Sequence, residues 1–248
     1  MPSRHDPREP LSFRARRRRE RLRRTLRVLT VLVVVAILGA GVWLVAFSSV
    51  LAADRVKVTG VDLLSTQEVL AAADVPLGTP LVRLDVDGIE ERVSSLAPVE
   101  SVDVSRSWTG TVTVAVTERT AVAWVDDGGE IRGVDRFGAD FRTFDEPPAL
   151  TEIRVPAEQG RDRRQSLEGL GSVVDTLASS APELLGQIAY GEAQSQDSIT
   201  FQLVDGRRVQ WGSAEESERK IEVIEALLAS VEATEYDVSA PEQPTTRA

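Results

Sequence analysis

The longest hydrophobic pattern in the chain has no period at all. Between Arg27 and Asp54 no residue is charged, and Val31 to Phe47 is apolar without interruption. As a helix these roughly 26 positions extend about 39 Å, enough to cross a hydrocarbon core of about 30 Å with some tilt. Beyond Asp54 the pattern breaks into short alternations. Arg55 to Val58 alternates as a strand. Ser65-Thr66-Gln67-Glu68 has the spacing of a capping box, so a short helix with Val69, Leu70 and Ala73 on one side is expected. Pro76, Gly78 and Pro80 interrupt it, and Asp87 opens a second helix with Ile89, Val93 and Leu96 on one face, ended by Pro98. Two strands follow: Val102 and Val104 alternate with polar residues, then Val112, Val114 and Val116 alternate with threonines, around a Trp108-Thr109-Gly110 turn.

The second half repeats these signals in another order. Ala121 to Val125 and Ile131 to Val134 read as a strand pair around Asp126-Asp127-Gly128-Gly129, and Pro147-Pro148 marks a loop. Leu167, Leu170, Val174 and Leu177 define a helix over about 166–178, although Gly169 and Gly171 each cost it about 1 kcal/mol relative to alanine. Ile199, Phe201 and Leu203, an Asp205-Gly206 turn, then Val209 and Trp211 form a hairpin. Ser213-Ala214-Glu215-Glu216 reads as a second capping box, opening a helix with Ile221, Ile224, Leu228 and Val231 inward. A last strand covers about 235–240, before Pro241 and Pro244. The expected fold class is α+β: one N-terminal transmembrane helix, a β-α-α-β-β domain, and a second α+β domain with a mainly antiparallel sheet. The expected boundaries are a basic arm 1–27, the span 28–53, domains 54–119 and 120–240, and a disordered tail 241–248.

Charge orients the chain. Residues 1–27 hold eleven arginines against three acids, +8, so the chain total of −10 leaves −18 on residues 28–248. Basic residues beside a span stay cytoplasmic and are drawn to anionic headgroups. The arm is thus expected inside, against membrane lipid, and the acidic body outside. A rival reading makes the chain an exported ligand-binding protein, with Arg23-Arg24 in an export signal cleaved after Val50-Leu51-Ala52; the long apolar run argues for a retained anchor.

Composition narrows the chemistry. No cysteine is present, and the single histidine is His5 in the arm. This removes thiol chemistry, disulfides, an exterior Ser-His-Asp triad and a histidine-based zinc site. No phosphate-binding glycine loop occurs. Scattered carboxylates read as solvated surface rather than as a glycosidase pair. The expectation is a non-catalytic protein with no metal, no cofactor, no small-molecule substrate and no nucleic-acid partner. Trp108, Trp124 and Trp211 are expected to pack, and Trp43 to face lipid.

The β-α-α-β-β order outside a span looks like a POTRA domain, a module that docks polypeptides. Val58-Thr59-Gly60, Gly78-Thr79-Pro80-Leu81 and Val114-Ala115-Val116-Thr117-Glu118-Arg119, with Gly212, Lys220 and Asp237-Val238 further on, resemble the FtsQ/DivIB family of bacterial division proteins. Thr109 and Ala121 stand where relatives often carry proline. The resemblance implies a scaffold at the division septum that binds FtsB-like and FtsL-like single-pass proteins and links them to septal peptidoglycan synthesis. It also implies a docking strand near the C-terminus, here Tyr236, Asp237, Val238, Ser239 and Ala240, which accepts a partner segment by strand addition. Ser239 and Ala240 replace an arginine and an aromatic found in better-known members, leaving more of the contact to backbone pairing.

Overall fold

The computed structural model describes residues 12–47, 52–155 and 160–248. The start of the arm, with His5, and Val50-Leu51 of the cleavage motif lie outside them. The first helix, α1 (Ser12–Phe47), begins inside the arginine-rich segment and runs unbroken through the uncharged stretch. Its described apolar side chains between Leu26 and Trp43 all stand exposed, Val31, Ile37 and Leu38 among them. Among the described residues it is the helix long and apolar enough to cross a membrane, as a single-pass membrane protein requires. The far end of the expected span is corrected. Ala52 bridges Pro80, Ala53 donates to the Thr79 carbonyl at 2.9 Å, and Ala53 has no exposed surface. These two alanines belong to the folded body, because small side chains let the backbone enter it closely.

The next elements are β1 (Arg55–Thr59), α2 (Thr66–Ala73), a 3₁₀ turn (Leu81–Arg83), α3 (Val86–Ser94), β2 (Val99–Ser107) and β3 (Thr111–Glu118). The strands form one sheet in the order β1-β3-β2. The first capping box is present: Ser65 Oγ accepts from Glu68 N at 3.2 Å, and Glu68 Oε2 accepts from Ser65 N at 2.8 Å. Alternation in β3 buries Val112, Val114 and Val116. Leu70 departs from expectation. Val69 and Ala73, four apart, take the inward face of α2, and Leu70, one position round, remains exposed.

The second domain comprises β4 (Ala123–Asp127), β5 (Glu130–Val134), β6 (Asp140–Phe144), β7 (Thr151–Arg154), α4 (Arg161–Ser180), α5 (Pro182–Leu185), β8 (Ile188–Ala193), β9 (Ile199–Leu203), β10 (Arg208–Gly212), α6 (Ser217–Ser230), β11 (Glu235–Asp237) and β12 (Thr245–Arg247). Nine strands make one mixed sheet, ordered β12-β11-β10-β9-β8-β7-β4-β5-β6. Antiparallel neighbours predominate, but β7 has a parallel partner on each side and β10 pairs β11 in parallel. Helix α4 packs on β8, β9 and α6. The core is continuous from Leu170, Val174 and Leu177 through Ile199, Phe201 and Trp211 to Ile224, Tyr236 and Val238.

The glycines that weakened the expectation for α4 have a reason. A Cβ on Gly171 would stand 2.4 Å from the Asp135 carbonyl oxygen, so the helix needs a bare backbone where that loop crosses it. Val231 is exposed rather than inward, since α6 ends at Ser230. The tail is corrected too: residues 241–248, expected as disordered, contain β12. No hydrophobic alternation announces that strand, because its three residues are all exposed.

Candidate partner-binding edge

The segment 235–240 lies where the chain returns from α6 to the sheet. Strand β11 aligns Glu235, Tyr236 and Asp237 beside Arg208, Val209 and Gln210 of β10, and Val238 N extends the pairing to the Gln210 carbonyl at 2.9 Å. Parallel neighbours require a crossover, and α6 supplies it. Its start differs from the expected capping box. Glu216 holds a left-handed φ of 54° without a side-chain cap, while Ser213 Oγ accepts from Glu215 N at 3.3 Å in a local turn. Ser217 anchors the corner instead, donating to the Ala214 carbonyl at 2.8 Å and accepting from Trp211 Nε1 at 3.2 Å. Lys220, 1 % exposed, donates to the Ser213 carbonyl at 2.9 Å. Burial lowers its pKa, against the pull of Glu216 and Glu215.

The five expected docking residues divide by the period of the strand. Tyr236 and Val238 are fully buried, Asp237 is half-buried, and Ser239 and Ala240 are exposed. The Tyr236 hydroxyl donates to the Val231 carbonyl at 2.8 Å and accepts from Ala233 N and Arg207 Nη1, both at 3.2 Å. The ring therefore fixes the α6–β11 connection and cannot greet a partner. The Tyr236 hydroxyl also raises the pKa of Arg207, opposed by burial and supported by Asp205. Asp237 Oδ1 accepts from Ser239 N at 2.9 Å and Ser239 Oγ at 2.6 Å, a turn that ends the strand. Gly212, at φ +80°, lies so close to Ser239 that any Cβ would fall 2.8 Å from the serine's own.

Reading 235–240 as the last strand of the sheet is corrected by β12. It pairs antiparallel with β11, Glu235 opposite Arg247 and Asp237 opposite Thr245, and Thr234 N donates to the Arg247 carbonyl at 2.8 Å. Its side-chain holds are a pair at 2.9 Å between exposed Arg247 and half-buried Glu235, of a kind worth about 0–1 kcal/mol, and a bond donated by Thr234 Oγ1 to the Arg247 carbonyl at 3.1 Å. Within 241–248 the one buried side chain is Pro241.

The tryptophans also separate. Trp211 is 1 % exposed and meets Phe201 edge-on at 5.6 Å. Trp124 Nε1 donates to the Leu150 carbonyl at 3.1 Å. Trp108, expected to pack, is 69 % exposed, because it occupies the hairpin tip where neither face of the sheet continues. At the other end of β3, Glu118 accepts backbone N–H groups of Asp62, Leu63 and Leu64 at 3.0, 2.8 and 2.8 Å. Burial pushes the Glu118 pKa up, but the bonds from Leu63, Leu64 and Asp62 together hold it below the ordinary value. Arg119 pairs with Asp135, which is fully buried and also accepts from Phe137 N and Ala139 N. The Glu-Arg pair is thus structural chemistry.

Among the described residues no three histidine, cysteine or acidic side chains gather to hold a metal ion. A depression of about 420 Å³ beside α4 is lined by Glu168, Asp175, Asp197 and Glu215 with Arg136.

Comparison with known proteins covers both halves. Residues 51–119 match the family described as POTRA domain, FtsQ-type, and residues 122–240 match the family described as cell division protein FtsQ/DivIB, C-terminal. The chain is similar to proteins named cell division protein FtsQ. That of Streptomyces venezuelae is 37 % identical over 216 residues, covering 84 % of this chain and 79 % of the relative. That of Streptomyces griseus is 36 % identical over 207 residues, covering 79 % and 97 %. That of Mycobacteroides abscessus is 34 % identical over 218 residues, covering 86 % and 67 %. The C-terminal match ends at Ala240, so β12 lies beyond it.

Proposed function

The chain belongs to the FtsQ/DivIB family of cell division proteins, and we propose that it acts as a non-catalytic scaffold at the septum. It binds FtsB-like and FtsL-like single-pass proteins and links them to septal peptidoglycan synthesis. The arm stays in the cytoplasm against anionic lipid, α1 crosses the membrane, and the acidic domains work outside, as the +8 and −18 charge division supports.

The observation that carries the docking mechanism is the weakly held β12. Val238 N–H is spent on β10, so the neighbouring Asp237 N–H points to the opposite edge, by the alternation of a strand. A partner's extended segment takes that edge in place of β12, pairing through the backbone with Glu235 to Asp237, up to the turn at Ser239. Asp237, Ser239 and Ala240 meet its side chains, while Tyr236 and Val238 hold the strand from behind. A partner that brings apolar side chains outcompetes a tail that has none to bury.

Co-purification of the full chain with candidate coiled-coil partners tests this. A chain stopped at Ala240, lacking β12, should capture the partner at least as well as the full chain. Asp237→Pro removes the outward donor and should abolish capture while circular dichroism stays unchanged. Equal capture by Asp237→Pro would overturn the proposal.

The rival reading, release after Ala52, meets a physical obstacle. Cleavage there would place a new ammonium group on Ala53, which is wholly buried and already bonded to Thr79.

A further inference from the structure

The exposed hairpin tip has neighbours that give it a use. Trp108 is 69 %, Leu77 61 % and Val82 50 % exposed. Val82 and Trp108 line one cleft of about 310 Å³ with Leu81 and Arg106, and Arg106 Nη1 donates to the Leu81 carbonyl at 2.8 Å. Chain neighbours of these groups are bonded to the residues that follow α1. Gly78 N, beside Leu77, donates to the Ala53 carbonyl at 2.9 Å, and Asp54 N donates to the Gly110 carbonyl at 2.7 Å.

Chain length then limits where this face lies. From Phe47, the last residue of α1, to Ala52 there are five Cα steps, at most about 18 Å. With α1 in the membrane, the ring of Trp108 is held close to the outer surface. Tryptophan favours that depth, where an apolar body meets a wet edge. Charge agrees. Residues 52–57, 74–87 and 104–114 carry four basic side chains (Arg55, Lys57, Arg83, Arg106) and four acids (Asp54, Asp74, Asp85, Asp87), a net of zero, so the −18 of the exterior lies elsewhere. These segments carry no net charge for anionic headgroups to repel.

We propose that the Leu77, Val82 and Trp108 face is a lipid-contact surface, seated in the headgroup–acyl boundary of the outer leaflet. It makes the membrane a second support for the first domain, beyond the single chain crossing. The inference rests on α1 as a retained anchor and is independent of the docking edge.

Because the chain has no cysteine, single nitroxide labels can be placed on the full protein in bilayer discs of phosphatidylethanolamine and phosphatidylglycerol. Labels at Val82→Cys and Trp108→Cys are compared with Leu38→Cys within α1 and Val204→Cys, which is 69 % exposed in the β9–β10 turn. The ratio of collisions with oxygen to collisions with a water-soluble nickel chelate should be several-fold higher at 82 and 108 than at 204. A ratio at 82 and 108 equal to that at 204, with Leu38 shielded from nickel, overturns the lipid contact alone. Nickel access at Leu38 overturns the anchor and the lipid contact together. Dipolar broadening between labels at 82 would assign the face to a second copy instead, and also overturns the proposal.

Discussion

Two aromatic residues, Tyr236 in strand β11 of the second domain and Trp108 at the hairpin tip of the first, exchange the roles their sequence neighbourhoods suggest. Tyr236 lies in the segment expected to meet a partner, yet it is fully buried with three hydrogen bonds on its hydroxyl. Trp108, expected to pack, is 69 % exposed. The difference teaches that a side chain's availability depends on what the opposite face of its strand meets. In β11 that face meets α6 and the core. At a hairpin tip there is no further strand to meet.

The comparison breaks most directly at Tyr236. Tyr236→Ala should lower unfolding free energy by about 4 kcal/mol in urea titration, as for other buried aromatics. Tyr236→Phe should cost about 1.5 kcal/mol, the share of a buried hydroxyl with good partners. If Tyr236→Ala leaves stability unchanged, the residue is not a core anchor and its docking role reopens. Gly212→Val should cost about 3 kcal/mol, from a β-branched residue forced to positive φ against Ser239; a far-ultraviolet thermal melt would register it as a lowered midpoint.

Glu118 tests the first domain away from its tip. Glu118→Gln should cost about 1 kcal/mol at neutral pH, by weakening acceptors for three N–H groups. Its folded pKa lies below the ordinary value. The ionised carboxylate's contribution is therefore complete above the unfolded value of about 4.3 and is lost as pH falls through the folded one. Unfolding titrations from pH 7 to 3 should show a shallower acid-side decline in Glu118→Gln than in the parent, and parallel curves would refute the assignment. The smallest effect belongs to Trp108→Ala, which in detergent should stay within about 0.5 kcal/mol of the parent. A loss of several kcal/mol would mean the ring packs after all.

Much was legible because periodicity and capping are local. The uncharged run of α1, the Ser65–Glu68 box, the alternation of β3 and the hairpin around Asp205-Gly206 are all written in adjacent residues. The second capping box misled for the same reason. Ser213 and Glu216 have the correct spacing, but Trp211 and Lys220 reach into that corner and reset the helix start to Ser217. Strands β6, β7 and β8 escaped notice although β8, with six residues, is the longest strand of its domain; for β7 the pairing comes from β4 and β8, both distant in sequence.

Sequence alone decided the division of the molecule into a basic arm, a lipid-length apolar helix and an acidic two-domain body, since charge and hydrophobic run length act without reference to partners. It also carried the family, whose features are spread along nearly the whole chain. Only the tertiary structure decided which face of 235–240 is open, that β12 covers its edge, and that Trp108 points outward beside the residues leaving α1. Those are questions of pairing and burial between segments far apart in the chain, and one strand's alternation cannot say which of its two faces the rest of the protein will cover.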